Sequence, residues 1–276
     1  MELPADFPRE VDVVATDYDH TLAWEDGGLQ PRTLAALARV RDSGLRVIVV
    51  TGRMVQSLRR VLAPAALHDP VVCYQGAVVA DGDGRWLRHV PIELELAKEA
   101  IAAVEAEGYD PNVYVDDELY VSRVTPHAER YANFQQLEIH PVGDLRSWLA
   151  AAPTKLVCAG DPAALDELGV RLRRRFDGRL YITKSLPYFL ELATIGVTKG
   201  SGLDFLAGRL GFTPERTIAF GDGENDVELM DWAGYSVAVE NAHERVKAVA
   251  DWVCPPAAEE GVAQVLEAML CEALTE

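Results

Sequence analysis

Two stretches of the chain share one rhythm, and a stretch of different rhythm separates them. Short apolar, β-branched runs at Val11–Thr16 (VDVVAT), Leu45–Val50 (LRVIVV) and Val71–Tyr74 alternate with segments of helical periodicity at Pro31–Asp42 and Met54–Leu62. Each run is short enough to be a strand and apolar enough to be buried on both faces. Such alternation through short loops predicts a parallel, doubly wound α/β sheet of Rossmann-like type. The rhythm returns after Thr198, with helices expected over Lys199–Leu210, Glu224–Trp232, Ala242–Val249 and Gly261–Leu270. Between them fall strands at Thr217–Phe220, Tyr235–Val239 and Trp252–Val253.

Between these halves the sequence reads as hairpins mixed with helices. QGAVVADGDGRWLRHV turns at Asp81–Gly84, and NVYVDDELYVSRV turns near Asp116 and Asp117. Helices are expected at Glu93–Glu107 and Pro162–Arg175, and strands at Lys155–Ala159, Leu180–Thr183 and Tyr188–Leu192. This predicts an inserted α+β cap over 83–194 and a core built from 1–82 and 195–276.

Composition excludes several function classes. A net charge of -18 disfavours nucleic acid, and the short basic run Arg171–Arg175 is read as a solvated helix face. No apolar run approaches the length of a membrane span, and the N-terminus lacks a basic, apolar leader pattern, so a soluble cytoplasmic protein is expected. Cys73, Cys158, Cys254 and Cys271 are too scattered for a zinc site or a disulfide framework.

Four polar signals stand at strand ends or at a helix start, where ligands bind in an open α/β sheet. Asp17 and Asp19, two residues apart after the first strand, can divide nucleophilic attack and proton transfer between them. Alone, the pair also fits a solvated turn. Thr51-Gly52-Arg53 follows the second strand with a hydroxyl, flexible amides and a guanidinium, all suited to phosphate, though T-G also serves in helix capping. Lys199 at a helix start can neutralise a carboxylate and an incoming phosphoryl group, or be one more surface lysine. Gly221-Asp222-Gly223-Glu224-Asn225-Asp226 offers hard oxygen ligands suited to Mg2+, and it lacks the ligand spacing of a calcium-binding EF-hand loop.

In order and spacing these motifs resemble the haloacid dehalogenase (HAD) superfamily, and in particular its Cof-like phosphatases with a type IIB cap. DYDHT corresponds to D-x-D-x-T, VTGR to the threonine motif, VTKG to the lysine motif and GDGENDVELM to G-D-x-x-N-D. The resemblance implies a Mg2+-dependent phosphatase working through an aspartyl-phosphate, with Asp17 as nucleophile and metal ligand. Asp19 would be the general acid/base, with its backbone carbonyl on the metal. Thr51 and Lys199 would hold the phosphoryl group, and Gly52, Arg53 and Asn225 are added as substrate-binding residues. Asp222 would ligate the metal, and Asp226 would orient metal-bound water. His20 replaces the family's usual glycine, Gln75 replaces a frequent asparagine, and Asn241 sits in a further family loop with no chemical role assigned. The expected substrate is a small phosphate monoester of a sugar, a polyol or a cofactor, taken by a monomer or homodimer. Alternative readings are a phosphomutase on sugar phosphates and an inactive phosphate-ligand-binding protein. Within the insert, Tyr114, Arg123, Lys184 and Tyr188 could face the leaving group, though each also has a structural reading.

Overall fold

The structure is a computed structural model that describes residues 1–24 and 28–273. Its strands in chain order are β1 (Val13–Thr16), β2 (Arg46–Val49), β3 (Val71–Cys73), β4 (Val78–Ala80), β5 (Trp86–His89), β6 (Asn112–Val115) and β7 (Glu118–Val121). They continue as β8 (Ile139–Pro141), β9 (Lys155–Ala159), β10 (Leu180–Leu186), β11 (Phe189–Thr194), β12 (Thr217–Gly221), β13 (Tyr235–Val239) and β14 (Trp252–Cys254).

The parallel sheet has the order β14-β13-β12-β1-β2. The first half of the chain builds outward from β1 in one direction and the second half builds outward from β12 in the other. The order therefore reverses between β1 and β12, and that switch point opens a crevice beyond the strand ends. Residues of β1, β12 and β13 are buried throughout, as the continuous apolar runs require.

β3 differs from expectation. A single parallel bridge, Val50 to Val72, ties it to the main sheet, and its full ladder is antiparallel to β4, which pairs in turn with β5. The expected hairpin at Asp81–Gly84 is this β4–β5 pair. A division at residue 83 would split that hairpin across its turn, whereas strand pairing keeps it beside β3 as far as His89.

The second sheet has the order β10-β11-β9-β6-β7-β8, antiparallel except at β7–β8. One face carries the helices Leu94–Ala106 and Pro162–Arg175 over a separate apolar cluster that includes Ile101, Leu156, Leu168 and Leu190. Tyr114, Tyr131, Val157 and Phe189 join the main core instead, so the insert lies over the crevice with its other face. Among the described residues no helix is long and apolar enough to cross a membrane.

The hairpin turn between β6 and β7 does more than reverse the chain. The core helix Val55–Leu62 begins at Met54, whose side chain cannot cap it. Asp117, left-handed in that turn, supplies the missing acceptor: its carboxylate takes hydrogen bonds from Val55 N (3.1 Å), Gln56 N (2.8 Å) and the Tyr74 hydroxyl (2.7 Å). A residue of the insert thus caps a core helix. Asp117→Ala should cost about 2 kcal/mol, through the lost cap and a stranded Tyr74 hydroxyl, and lower the melting temperature by about 4–8 °C. Thermal melts followed by circular dichroism measure this, and an unchanged midpoint would refute the capping role.

Candidate active site

Asp17 follows β1 directly, and Asp222 follows β12, so the switch point places both at the crevice. Lys199 is the first residue of the helix Lys199–Leu210, which opens with a capping box between Thr198 and Ser201. From there its ammonium donates to Asp17 Oδ1 and to Asp226 Oδ1, each at 2.5 Å, with no solvent exposure. Burial alone would lower the Lys199 pKa, but the two carboxylates outweigh it and hold the amine above its ordinary value.

Asp226 is committed on both oxygens, since its Oδ2 accepts from the backbone amides of Asp222 (3.0 Å) and Gly223 (2.9 Å). Gly221 allows this close approach: a Cβ there would lie 2.6 Å from the Asp226 carboxyl carbon. Asp222 Oδ1 accepts from the Thr21 hydroxyl at 2.7 Å. Carboxylate oxygens of Asp17, Asp222 and Asp226 lie within 4.8 Å of one another. Burial pushes the Asp17 carboxyl up to about 7, against the pull of Lys199 and with help from Asp226 and Asp19. Burial, followed by Asp17 and Asp226, raises Asp222 as well. Three carboxylates against one ammonium leave negative charge uncompensated, and a set of hard oxygen donors fits a divalent cation of the magnesium or calcium kind.

Asp19 stands outside that cluster. Its carboxylate is gripped by Arg53 through Nε (2.8 Å) and Nη2 (2.6 Å), and Arg53 Nη1 donates to Ser57 (3.1 Å). Arg53, expected on the substrate, is thus placed on Asp19. Thr51 and Gly52 line a small enclosure of about 20 Å³ with Asp17, Asp19, Arg53 and Asn225. Tyr131, Gln135, Phe189 and Glu191 of the insert form its lid.

His20 holds a left-handed φ of 60°, a conformation that the expected glycine would adopt freely. Asn241 explains part of its stability: Asn241 Nδ2 donates to the His20 carbonyl (2.9 Å), and Asn241 Oδ1 accepts from Ala257 N (2.8 Å). His20 stacks edge-on against Trp24, and both line a cavity of about 510 Å³ with Lys184, Leu186, Asp222 and His243. Of the four insert residues weighed from sequence, Lys184 reaches that cavity, while Arg123 pairs with Asp110 on the surface. Tyr114 is buried in the main core, and the ring of Tyr188 faces Arg130.

Sequence reasoning passed over a buried ion pair. Lys155 donates to Glu191 (2.9 Å) and to the Gly52 carbonyl (2.8 Å), beneath the rings of Tyr74 and Tyr114. The available signal was a charge inside each of two apolar strands, KLVCA and FLELAT, since such charges are rarely buried unpaired.

Fold and site together define a capped Rossmann-like hydrolase with an aspartate-rich centre. The chain belongs to the haloacid dehalogenase-like hydrolase family, whose profile matches residues 14–266. It is 28% identical over 237 residues, 86% of either chain, to an HMP-PP phosphatase of Serratia proteamaculans. It is 29% identical to the 5-amino-6-(5-phospho-D-ribitylamino)uracil phosphatase of Bacillus subtilis, covering 92% of this chain and 96% of that one. The crystal structure of a Thermotoga maritima protein superposes with a TM-score of 0.80 at 29% identity, covering 93% of this chain and 97% of the other.

Proposed function

We propose that the protein is a Mg2+-dependent phosphatase that hydrolyses a small phosphate monoester through an aspartyl-phosphate on Asp17. The observation that carries this reading is the buried Asp17–Lys199–Asp226 chain, which holds a nucleophilic carboxylate beside a cation at the sheet's switch point. Asp17 attacks phosphorus and the bond to the leaving oxygen breaks, with Asp19 donating the proton that oxygen needs. Asp19 then takes a proton from the attacking water, and phosphate leaves Asp17. Arg53 orients the ionised Asp19 and frees one of its oxygens when that oxygen carries the proton, while Thr51, Gly52, Lys199 and Asn225 hold the phosphoryl oxygens. Asp17 and Asp222, with the Asp19 carbonyl, would bind the cation, and Asp226 would orient its water. The cation would supply positive charge against the phosphate dianion.

The cavity of about 510 Å³ beside Asp222, walled on the insert side by Lys184, Ser185 and Leu186, has room for a small leaving group, whereas the enclosure of about 20 Å³ at Asp17 does not. The lining of the larger cavity includes His20, Lys184 and Ser185, polar groups suited to hydroxyls of a sugar or polyol. A phosphorylated cofactor or pyrimidine is the next choice, in line with the substrates named for the two curated relatives. Phosphate release should therefore be seen with sugar phosphates, polyol phosphates or phosphorylated cofactors in Mg2+, at a kcat/KM well above that for phosphopeptides or a 5′-phosphorylated oligonucleotide. A preference for either macromolecule would overturn this assignment of substrate class.

A further inference from the structure

Gln75 combines a strained backbone with a half-satisfied side chain. Its φ of 58° and ψ of 23° lie in the left-handed region, directly after Tyr74 at φ 53°. L residues with side chains of this size visit that region at a cost, so something must hold them there. The holding bonds run to the loop that carries Thr51: Gln75 N donates to the Thr51 carbonyl (3.1 Å), and Tyr74 N donates to the Arg53 carbonyl (3.0 Å).

The side chain, 1% exposed, spans from that loop to the second phosphate-facing loop. Its Oε1 accepts from Asn225 Nδ2 at 2.9 Å. Its Nε2 lies so close over Gly52 that a Cβ at that glycine would sit 2.5 Å from it. Neither Gln75 Nε2 nor Asn225 Oδ1 has a hydrogen-bond partner. Turning both amides over would put the unfilled acceptor over Gly52 and the unfilled donor on Asn225, so the orientation that suits an anion at Gly52 is the one in which Gln75 Nε2 faces it. Buried amides normally find partners, and an exception beside a pocket calls for a ligand to complete it. Gly52 and Asn225 both line the pocket that contains Asp17 and Thr51.

We infer that Gln75 is a positioning residue for the phosphoryl group: it fixes the Asn225 amide through Oε1 and completes the ring of donors around the phosphoryl oxygens through Nε2. This rests on the phosphatase reading. A carboxamide suits the task because it offers a donor to an anion without carrying charge, and the glutamine has the length to reach Asn225 from a turn bonded to the Thr51 loop.

The test is the affinity of the full chain for inorganic phosphate in Mg2+, by isothermal titration calorimetry well below each variant's melting temperature. Gln75→Met keeps the side chain's length and bulk and removes the amide, so the phosphate Kd should rise about tenfold. Gln75→Glu should be weaker still, because a carboxylate then faces the anion. Gln75→Asn keeps a carboxamide and should lie between wild type and Gln75→Met. A space-filling role demands the opposite order, Met above Asn, because Met matches glutamine in volume. The inference is overturned if Met binds phosphate more tightly than Asn, if all three variants stay within twofold of wild type, or if wild type does not bind phosphate. A wild-type chain that binds phosphate but releases none from any ester defeats the proposed function instead, and the order of the three affinities then still decides the role of Gln75.

Discussion

Asp17→Asn is expected to abolish phosphate release while leaving the chain folded. The amide of asparagine is no nucleophile toward phosphorus, so the covalent route closes, and a loss on the order of 10⁴-fold or more follows. The fold should survive because the asparagine oxygen can still accept from Lys199, which Asp17 shares with Asp226. Removing the carboxylate also relieves a site where burial already pushes the Asp17 carboxyl up to about 7. Asp19→Asn is the companion experiment. It leaves the nucleophile intact and removes the proton donor, so the loss should be smaller, about 10²–10⁴-fold. Because the same residue activates the hydrolytic water, phosphorylated Asp17 should accumulate in that variant and be found by mass spectrometry of the quenched protein. Rates for Asp17→Asn within tenfold of wild type would rule out the covalent mechanism.

The motif loops were legible because their chemistry demands particular residue types at strand ends, and strand ends can be read from apolar runs. Asp17, Thr51, Lys199 and Asp222 need no knowledge of distant contacts to be picked out. The helix Pro126–Gln135 was not legible, since PHAERYANFQ carries only a weak apolar stripe. It buries Ala128, Tyr131 and Ala132, small and aromatic residues that alone carry little periodic signal. Asp117 was legible as a turn residue but not as a cap, because the helix it caps begins 62 residues earlier. Arg53 shows the same limit: the guanidinium beside T-G gives no sign that the fold brings Asp19 within 2.6 Å of it. Local chemistry selected the residues, and tertiary pairing decided which of them bond to one another.

A divalent cation should raise the melting temperature, and the rise should grow with pH between about 5 and 7. The Asp17 carboxyl is raised by burial from 3.8 to about 7, and Asp222 is raised as well. Between pH 4 and 7 the folded chain therefore holds more protons than the unfolded chain. Stability of the metal-free protein falls from the Asp17 source as pH rises through that window, and Asp222 acts in the same direction. A cation needs the ionised carboxylates, so its binding displaces those protons and strengthens over the same window. At a concentration about 100 times its Kd, the cation adds about 2.7 kcal/mol, or a melting temperature higher by about 5–10 °C for a chain of this size. Asp117, also raised by burial, titrates in both the metal-bound and the chelated protein and cancels from the difference. Melts in EDTA and in Mg2+ at pH 5, 6, 7 and 8 measure that difference directly. A shift of equal size at pH 5 and pH 8, or none at pH 8, would show that the Asp17–Asp222–Asp226 cluster is not the cation site.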